Sequence, residues 1–126
     1  MNNTSVVDLS FILKYLLKDE QNDQVDLTIR DFREQKIELI APELLGVEVA
    51  NALRSAVMRG RITKEQALLS TGVFIELKIM LLTVDLQRIL EVAFEQKISC
   101  YDASYVALAR AKGANLLTYD ERLKGL

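Results

Sequence analysis

The chain has 126 residues, of which 50% are hydrophobic and 27% are charged, and its formal net charge at neutral pH is −2. This length is enough for one domain with a real core, so we expect a single domain over residues 1–126 and exclude disorder and a low-complexity linker. The mild negative charge does not indicate nucleic-acid binding by the whole molecule, but a metal that neutralised several carboxylates would leave the surface nearly neutral.

The predicted elements alternate between strands and helices. In chain order they are a strand over 5–8, a helix over 11–17 opened by Ser10, a helix over 24–35, a strand over 37–41, a helix from Pro42 to about residue 58, a helix over 63–76, a strand over 79–83, a helix over 86–96 capped by Asp85, a helix from Ser99 to Lys112, a strand over 115–118 and a final helical turn over 120–123. This alternation predicts an α/β domain with a parallel sheet and helices on both faces.

Three features of the sequence concern where the protein resides. The chain begins Met-Asn-Asn-Thr without a basic and apolar leader, and its apolar stretches are far shorter than the roughly 20 residues of a membrane helix. The single cysteine, Cys100, excludes an internal disulfide, and its apolar neighbours predict a core thiol rather than a nucleophile. We therefore expect a cytoplasmic protein with no membrane span.

Four carboxylates lie next to, or inside, elements that the sequence predicts to be buried. Asp8 and Asp120 follow apolar strand segments, and Glu48 and Asp102 lie within apolar helical patterns. Ligands of parallel α/β folds bind beyond the carboxyl ends of the strands, where these side chains can meet. Because buried carboxylates are costly to desolvate and repel one another, such a cluster indicates a bound cation.

The absence of histidine narrows the chemistry of this site. Neither a Ser-His-Asp triad nor a zinc-histidine site can form, and no glycine-rich phosphate loop of the usual spacing is present. Coordination by oxygen alone selects hard cations such as Mg²⁺ or Mn²⁺. A hard metal held by carboxylates can activate water and stabilise charge on a phosphoryl group, which is the chemistry of phosphodiester hydrolysis.

Each carboxylate also has a purely structural interpretation. Asp8 could cap the first helix, Asp102 could be a first-turn carboxylate favoured by the helix dipole, and Asp120 could cap the last turn. Glu48 begins a polar stripe along its helix, which is either the wall of a cleft or an ordinary solvated face. The other members of this polar stripe are Asn51, Ala52, Ser55 and Arg59.

Two further groups of side chains could contact a nucleic acid. A basic helix end, which is either a solvated surface or a phosphate contact, is formed by Arg54, Arg59 and Arg61. The four tyrosines could stack on bases, but in a chain so poor in aromatic residues we assign them to the core or to an interface.

Four segments form a specific motif set when they are taken together in order and spacing. They are Val-Val-Asp-Leu-Ser at 6–10, the acidic helical segment 41–53, the segment 101–109 and Leu-Leu-Thr-Tyr-Asp at 116–120. This set resembles the motifs of PIN-domain ribonucleases, particularly VapC-type toxins, over nearly the whole chain. The resemblance implies a three-layer α/β fold with a mostly parallel sheet of four to five short strands flanked by helices.

The resemblance also assigns roles by position. The family's acidic quartet corresponds to Asp8, Glu48, Asp102 and Asp120. Its supporting hydroxyls correspond to Ser10 and Thr118, and we add Asn51 of the polar stripe as a supporting residue. In that family the quartet binds one or two Mg²⁺ or Mn²⁺ ions and cleaves single-stranded RNA, and the toxins are usually homodimers that an antitoxin protein holds inactive.

The chain departs from the family pattern at two places, and one feature of its sequence favours a homodimer. Leu9 replaces a small residue often found after the first aspartate, which narrows the expected site slightly. Only six residues follow Asp120, so we expect the extra terminal strand of many relatives to be short or absent. Apolar residues over 13–17 and 68–77 exceed what one buried face uses, which favours a homodimer.

The sequence thus predicts a metal-dependent endoribonuclease that is the toxin of a toxin–antitoxin pair. We expect Asp8 and Asp102 to be direct metal ligands, with Glu48 and Asp120 orienting water or a second ion. One alternative is a catalytically silent PIN-fold module that binds RNA or protein, against which the complete quartet weighs. Another is a phosphotransfer domain with Asp8 as its nucleophile, which would want the second aspartate of an Asp-x-Asp motif.

Overall fold

The structure is a computed structural model that describes residues 3–126. Its strands are β1 (Thr4–Val7), β2 (Glu38–Pro42), β3 (Met80–Leu82) and β4 (Asn115–Leu117). Its helices are α1 (Leu9–Leu16), α2 (Asp23–Arg33), α3 (Leu45–Met58), α4 (Lys64–Leu77), α5 (Leu86–Gln96) and α6 (Cys100–Lys112), with a short 3-10 helix at Lys18–Glu20. The prediction of an α/β fold with a parallel sheet flanked by helices is confirmed.

The sheet has the strand order β3-β2-β1-β4, and each neighbouring pair of strands runs parallel. Val6 of β1 aligns with Ile40 of β2 on one side and with Leu116 of β4 on the other. The carboxyl ends of β1 and β4 therefore lie side by side, although the two strands come from opposite ends of the sequence. Residues that follow these strands meet at the edge of the sheet where parallel α/β folds place their ligands.

The hydrophobic core lies between the sheet and the helices that cover it. Val6 and Val7 are fully buried because β1 is a central strand of a covered parallel sheet. Residues 103–109 of α6 are also all buried, since this helix packs on β1, β2 and β4 as well as on α5. The stretch 103–109 is apolar apart from Ser104 and the hydroxyl of Tyr105, which suits this enclosed place, and the first turn of the helix carries Asp102 out of the core to the edge of the sheet.

Several predicted helix boundaries are confirmed. Thr63 and Gln66 form the capping box at the start of α4, in which each side chain accepts a hydrogen bond from the other residue's backbone. Asp85 and Ser99 cap the first turns of α5 and α6. Gly113 ends α6 with a φ of 59°, a conformation that glycine adopts without strain.

Two predicted helix starts were wrong. The first helix begins at Leu9, and its N-cap is Asp8 rather than Ser10, because the Asp8 carboxylate reaches the third backbone N–H of the helix. Pro42 ends β2 instead of opening α3, and it aligns with Leu82 of β3. Proline is tolerated at such a strand end, where its missing N–H need not join the ladder.

Two further expectations about local structure were wrong. Residues 121–125 form turns rather than a helical turn. Cys100 is exposed rather than part of the core, because it lies in the first turn of α6 before the buried stretch 103–109 begins. Its neighbour Tyr101 is likewise exposed. As far as the structure describes the chain, it contains no helix with the length and apolar character needed to cross a bilayer.

Candidate active site

Asp8 lies at the end of β1 and is almost completely buried. Its Oδ1 accepts hydrogen bonds from the backbone N–H of Phe11 at 3.0 Å and from the Ser10 hydroxyl at 2.7 Å, and its Oδ2 accepts one from the Thr118 hydroxyl. Burial raises the pKa of Asp8, the three donors counteract this effect, and the negative charge of Asp120 adds to the rise. Asp8 is thus a helix cap and a buried charge at once.

Ser10 and Thr118 hold the beginning of α1 against the segment after β4. Their hydroxyl oxygens lie 3.3 Å apart, and both hydroxyls donate to the carboxylate of Asp8. Each oxygen also accepts a backbone N–H, that of Tyr119 at Ser10 and that of Asp120 at Thr118. These two hydroxyls therefore fix the position of Asp8 relative to Asp120.

Glu48 lies in the first turn of α3 and is half-buried. Its Oε1 accepts a hydrogen bond of 2.5 Å from the hydroxyl of Tyr105, which is itself buried in α6. Burial raises the pKa of Glu48, the Tyr105 hydroxyl counteracts the rise, and the charges of Asp102 and Asp8 add to it. Burial and the Glu48 carboxylate together raise the pKa of Tyr105, so its hydroxyl remains a donor.

Asp102 and Asp120 are bridged by a cationic side chain, that of Arg122. Nη2 of Arg122 lies 3.1 Å from Oδ2 of Asp102 and 2.8 Å from Oδ2 of Asp120, and its Nε lies 3.2 Å from Oδ1 of Asp120. The hydrogen bond from Arg122 lowers the pKa of Asp120. We call this pair of ion pairs the Arg122 bridge.

One pocket of about 210 Å³ is lined by all four carboxylates of the predicted quartet. A water molecule takes up about 30 Å³ in the liquid, so the pocket has room for a hydrated ion. Its other lining residues are Leu9, Ser10, Leu13, Tyr105 and Leu123. The predicted ligands from β1, α3, α6 and the segment after β4 therefore face a common space.

The remaining predicted site residues do not line this pocket. Asn51 is exposed on α3, and Arg59 is exposed at the end of that helix. Arg54 lines a separate groove between α3 and α4. Arg61 pairs with carboxylates of the 3-10 helix, at 2.9 Å from Asp19 and 3.1 Å from Glu20. The structure thus brings together the quartet and its hydroxyls and leaves the basic helix end elsewhere.

Two residues of the site were missed by reasoning from the sequence. Tyr105 was assigned with the other tyrosines to the core or an interface, and it is indeed buried, but its hydroxyl reaches Glu48. Its spacing of three residues from Asp102 on a helix places both on one face, which is the signal that could have found it. Arg122 stands two residues after Asp120 in a turn, and no pattern in the sequence marks it.

The donor set suits a hard divalent ion by its chemistry. All its groups are oxygens, and the raised pKa values of Asp8 and Glu48 follow from burial and from neighbouring carboxylates, which a cation would offset. Among residues 3–126, in the side-chain conformations of this structure, no three acidic side chains lie close enough together to hold one ion. The residues therefore fit such an ion in the kind and number of their oxygen ligands.

Comparison with known proteins agrees with the fold. The pattern of the PIN domain family matches residues 5–126. The chain is 32% identical to Ribonuclease VapC3 of Pyrobaculum aerophilum over 122 residues, which cover 94% of this chain and 90% of that protein. It is 34% identical to Ribonuclease VapC9 of Mycobacterium tuberculosis over 120 residues, which cover 94% of this chain and 87% of that one.

A solved structure extends the similarity to three dimensions. The crystal structure of PAE2754 from Pyrobaculum aerophilum aligns with 97% of this chain and 77% of its own, with a TM-score of 0.76 and 25% sequence identity. The fold, the acidic pocket and these relatives together identify the class of protein. The chain belongs to the PIN-domain family, among relatives named as VapC ribonucleases.

Proposed function

We propose that the protein is a divalent-metal-dependent endoribonuclease that cleaves single-stranded RNA and is the toxin of a toxin–antitoxin pair. The observation that carries this proposal is the convergence of Asp8, Glu48, Asp102 and Asp120 on one pocket at the carboxyl edge of a parallel sheet. The relatives' names, which denote ribonucleases of the VapC type, supply the substrate class. Arg122 compensates only part of the charge of these four carboxylates, and the remainder is costly unless a further cation joins them.

In this proposal each carboxylate has a separate task. Asp8 and Asp102 bind a Mg²⁺ or Mn²⁺ ion, which when bound supplies an activated water and stabilises charge on the scissile phosphate. Glu48, oriented by Tyr105, positions the attacking water or contributes to a second ion, as does Asp120. Ser10 and Thr118 keep the Asp8 carboxylate in a single orientation by donating to both of its oxygens.

The geometry of Asp8 argues against the phosphotransfer alternative. A nucleophilic aspartate needs an oxygen that can approach phosphorus, but both oxygens of Asp8 accept hydrogen bonds, and the side chain is only 4% exposed. The second aspartate of an Asp-x-Asp motif, which this chemistry would want, is also absent, since Leu9 and Ser10 follow Asp8. The complete quartet likewise favours an enzyme over a silent binding module.

The test is cleavage of a single-stranded RNA by the purified protein with Mg²⁺, with Mn²⁺ and with a chelator. Wild-type protein should cleave only with metal, and both Asp8→Asn and Asp102→Asn should abolish cleavage while remaining folded. Glu95→Gln is the matched control, because Glu95 is an exposed carboxylate paired with Arg110 away from the pocket. Cleavage that persists in the chelator and in both Asn variants would contradict the proposal.

The proposed partners are an antitoxin protein and a second copy of this chain. Helix α4 presents Leu68, Leu69 and Ile75 at the surface, each about two-thirds exposed or more. Exposed apolar side chains this close together are typical of an interface rather than of a solvated helix. By contrast, Leu17 of the other segment that favoured a dimer is buried within this chain.

A further inference from the structure

The Arg122 bridge has a feature that the acidic quartet alone does not explain. Its guanidinium bonds the two outer carboxylates of the pocket, Asp102 and Asp120, and does not bond the two inner ones, Asp8 and Glu48. The two outer carboxylates are about one-quarter exposed, whereas the Arg122 side chain is 67% exposed. The guanidinium group of Arg122 therefore binds the same carboxylate oxygens that a divalent ion in the pocket would bind.

We propose that Arg122 is an internal counter-ion that competes with the divalent metal for Asp102 and Asp120, and that metal binding releases its guanidinium from both carboxylates. This inference rests on the proposed metal-dependent function. It assigns to the chain a two-state site, in which either Arg122 or the ion neutralises the outer pair.

Electrostatic repulsion and geometry prevent Arg122 and a divalent ion from binding Asp102 and Asp120 at the same time. A guanidinium about 3 Å from each carboxylate would lie next to an ion bound by the same oxygens, and two such cations repel strongly in a partly desolvated pocket. Ion pairs made by a side chain as exposed as that of Arg122 are individually weak, so a divalent ion can displace the bridge. The long side chain of Arg122 can swing into water without disturbing the core.

The bridge also fixes the orientation of the two outer carboxylates. Nε and Nη2 of Arg122 donate a bidentate pair of hydrogen bonds that holds the Asp120 carboxylate toward Arg122. The same Nη2 also donates a hydrogen bond to Asp102. Release of Arg122 frees both carboxylates to rotate toward Asp8. Arg122 is thus a positioning residue that sets the metal affinity and does not itself carry out chemistry.

Nuclear magnetic resonance of arginine side chains tests the release directly. In metal-free protein, the Nε–H signal of Arg122, assigned from its loss in Arg122→Gln, should show the restricted motion of a held guanidinium. Addition of the diamagnetic ion Mg²⁺ should make this signal mobile. Arg110 is an internal control, because its ion pair with Glu95 at 3.0 Å lies outside the pocket and should not respond.

Calorimetry with Mn²⁺ supplies a second measurement that does not depend on activity. Arg122→Gln should bind Mn²⁺ about three- to tenfold more tightly than wild type, the range expected when one or two exposed ion pairs no longer compete. Arg110→Gln, which removes an equal charge elsewhere, should bind as wild type does.

The two proposals fail in different ways in these experiments. If Mg²⁺ and Mn²⁺ bind neither wild type nor Arg122→Gln, the metal-dependent function is wrong, and this inference falls with it. If the metal binds but the Arg122 signal stays restricted, or Arg122→Gln and Arg110→Gln have the same affinity, the site binds metal without displacing Arg122. That result overturns the inference and leaves the proposed function intact.

Discussion

Tyr105→Phe removes one hydroxyl and nothing else from the candidate site. The phenyl ring still fills the buried position in α6, but Glu48 loses the donor that approaches its Oε1 to 2.5 Å. A hydrogen bond to a charged group contributes about 1.5–3 kcal/mol, and the lower end applies because Glu48 is only half-buried. Since about 1.4 kcal/mol corresponds to a factor of ten in rate, kcat/KM for RNA should fall about tenfold.

The pH dependence separates a role in orienting Glu48 from a general structural role. The Tyr105 hydroxyl lowers the pKa of Glu48, so its loss lets that pKa rise further above the ordinary value of 4.5. If ionised Glu48 is needed for cleavage, the acid limb of the kcat/KM profile must move to higher pH in Tyr105→Phe. Tyr101→Phe is the matched control, because Tyr101 lies on the same helix with its side chain exposed. A wild-type rate, or a slower rate with an unmoved acid limb, would refute the reasoning.

Other predictions concern stability, RNA contact and assembly. Burial raises the pKa of Asp8, so its ionisation destabilises the fold as pH rises above 3.8, and metal-free Asp8→Asn should melt higher than wild type at neutral pH but not in acid. Thr118→Val removes a hydrogen-bond donor from the buried Asp8 carboxylate and should cost about 1–3 kcal/mol in denaturant unfolding, whereas Thr28→Val, whose hydroxyl makes a solvent-exposed hydrogen bond to a backbone carbonyl, should cost far less. Replacing the three arginines of the basic helix end by glutamine should leave the salt dependence of RNA binding unchanged, and a slope reduced by about 0.7 for each arginine, the value for single strands, would contradict this. Sedimentation at micromolar concentration should show a dimer, and a clean monomer would exclude the self-association proposed for α4.

The sequence predicted those parts of the fold that depend on local rules. Thr63 with Gln66, and Asp85 and Ser99 as caps, mark helix starts because their side chains satisfy backbone N–H groups within one turn. The prediction that Pro42 opens α3 was wrong because proline suits both a helix start and a strand end, and only the pairing with β3 decides between them.

The part of the candidate site that follows the ends of strands could be predicted from the sequence. Asp8 and Asp120 follow strands, so the rule for parallel sheets placed them together before their neighbours were known. The hydrogen bond between Tyr105 and Glu48 joins residues 57 positions apart, and the Arg122 bridge depends on the path of a turn. The helical spacing of Tyr105 from Asp102 marks a shared face but not the partner Glu48, and no pattern marks Arg122. Long-range contacts of this kind require the packing of α6 against the sheet.

β4 is the outermost strand on its side of the sheet, and only three residues long. Such an edge segment opens by local fluctuation at a lower free energy than the central strands do. Its opening would carry Thr118 away from Asp8 and withdraw Asp120 from the pocket, while β1, β2 and most of the core stayed in place. Catalytic competence would then be lost on heating before the helical signal of the fold, and backbone amides of β4 would exchange with solvent faster than those of β1. A short edge strand thus leads into the segment that supplies Asp120 to one wall of the acidic pocket.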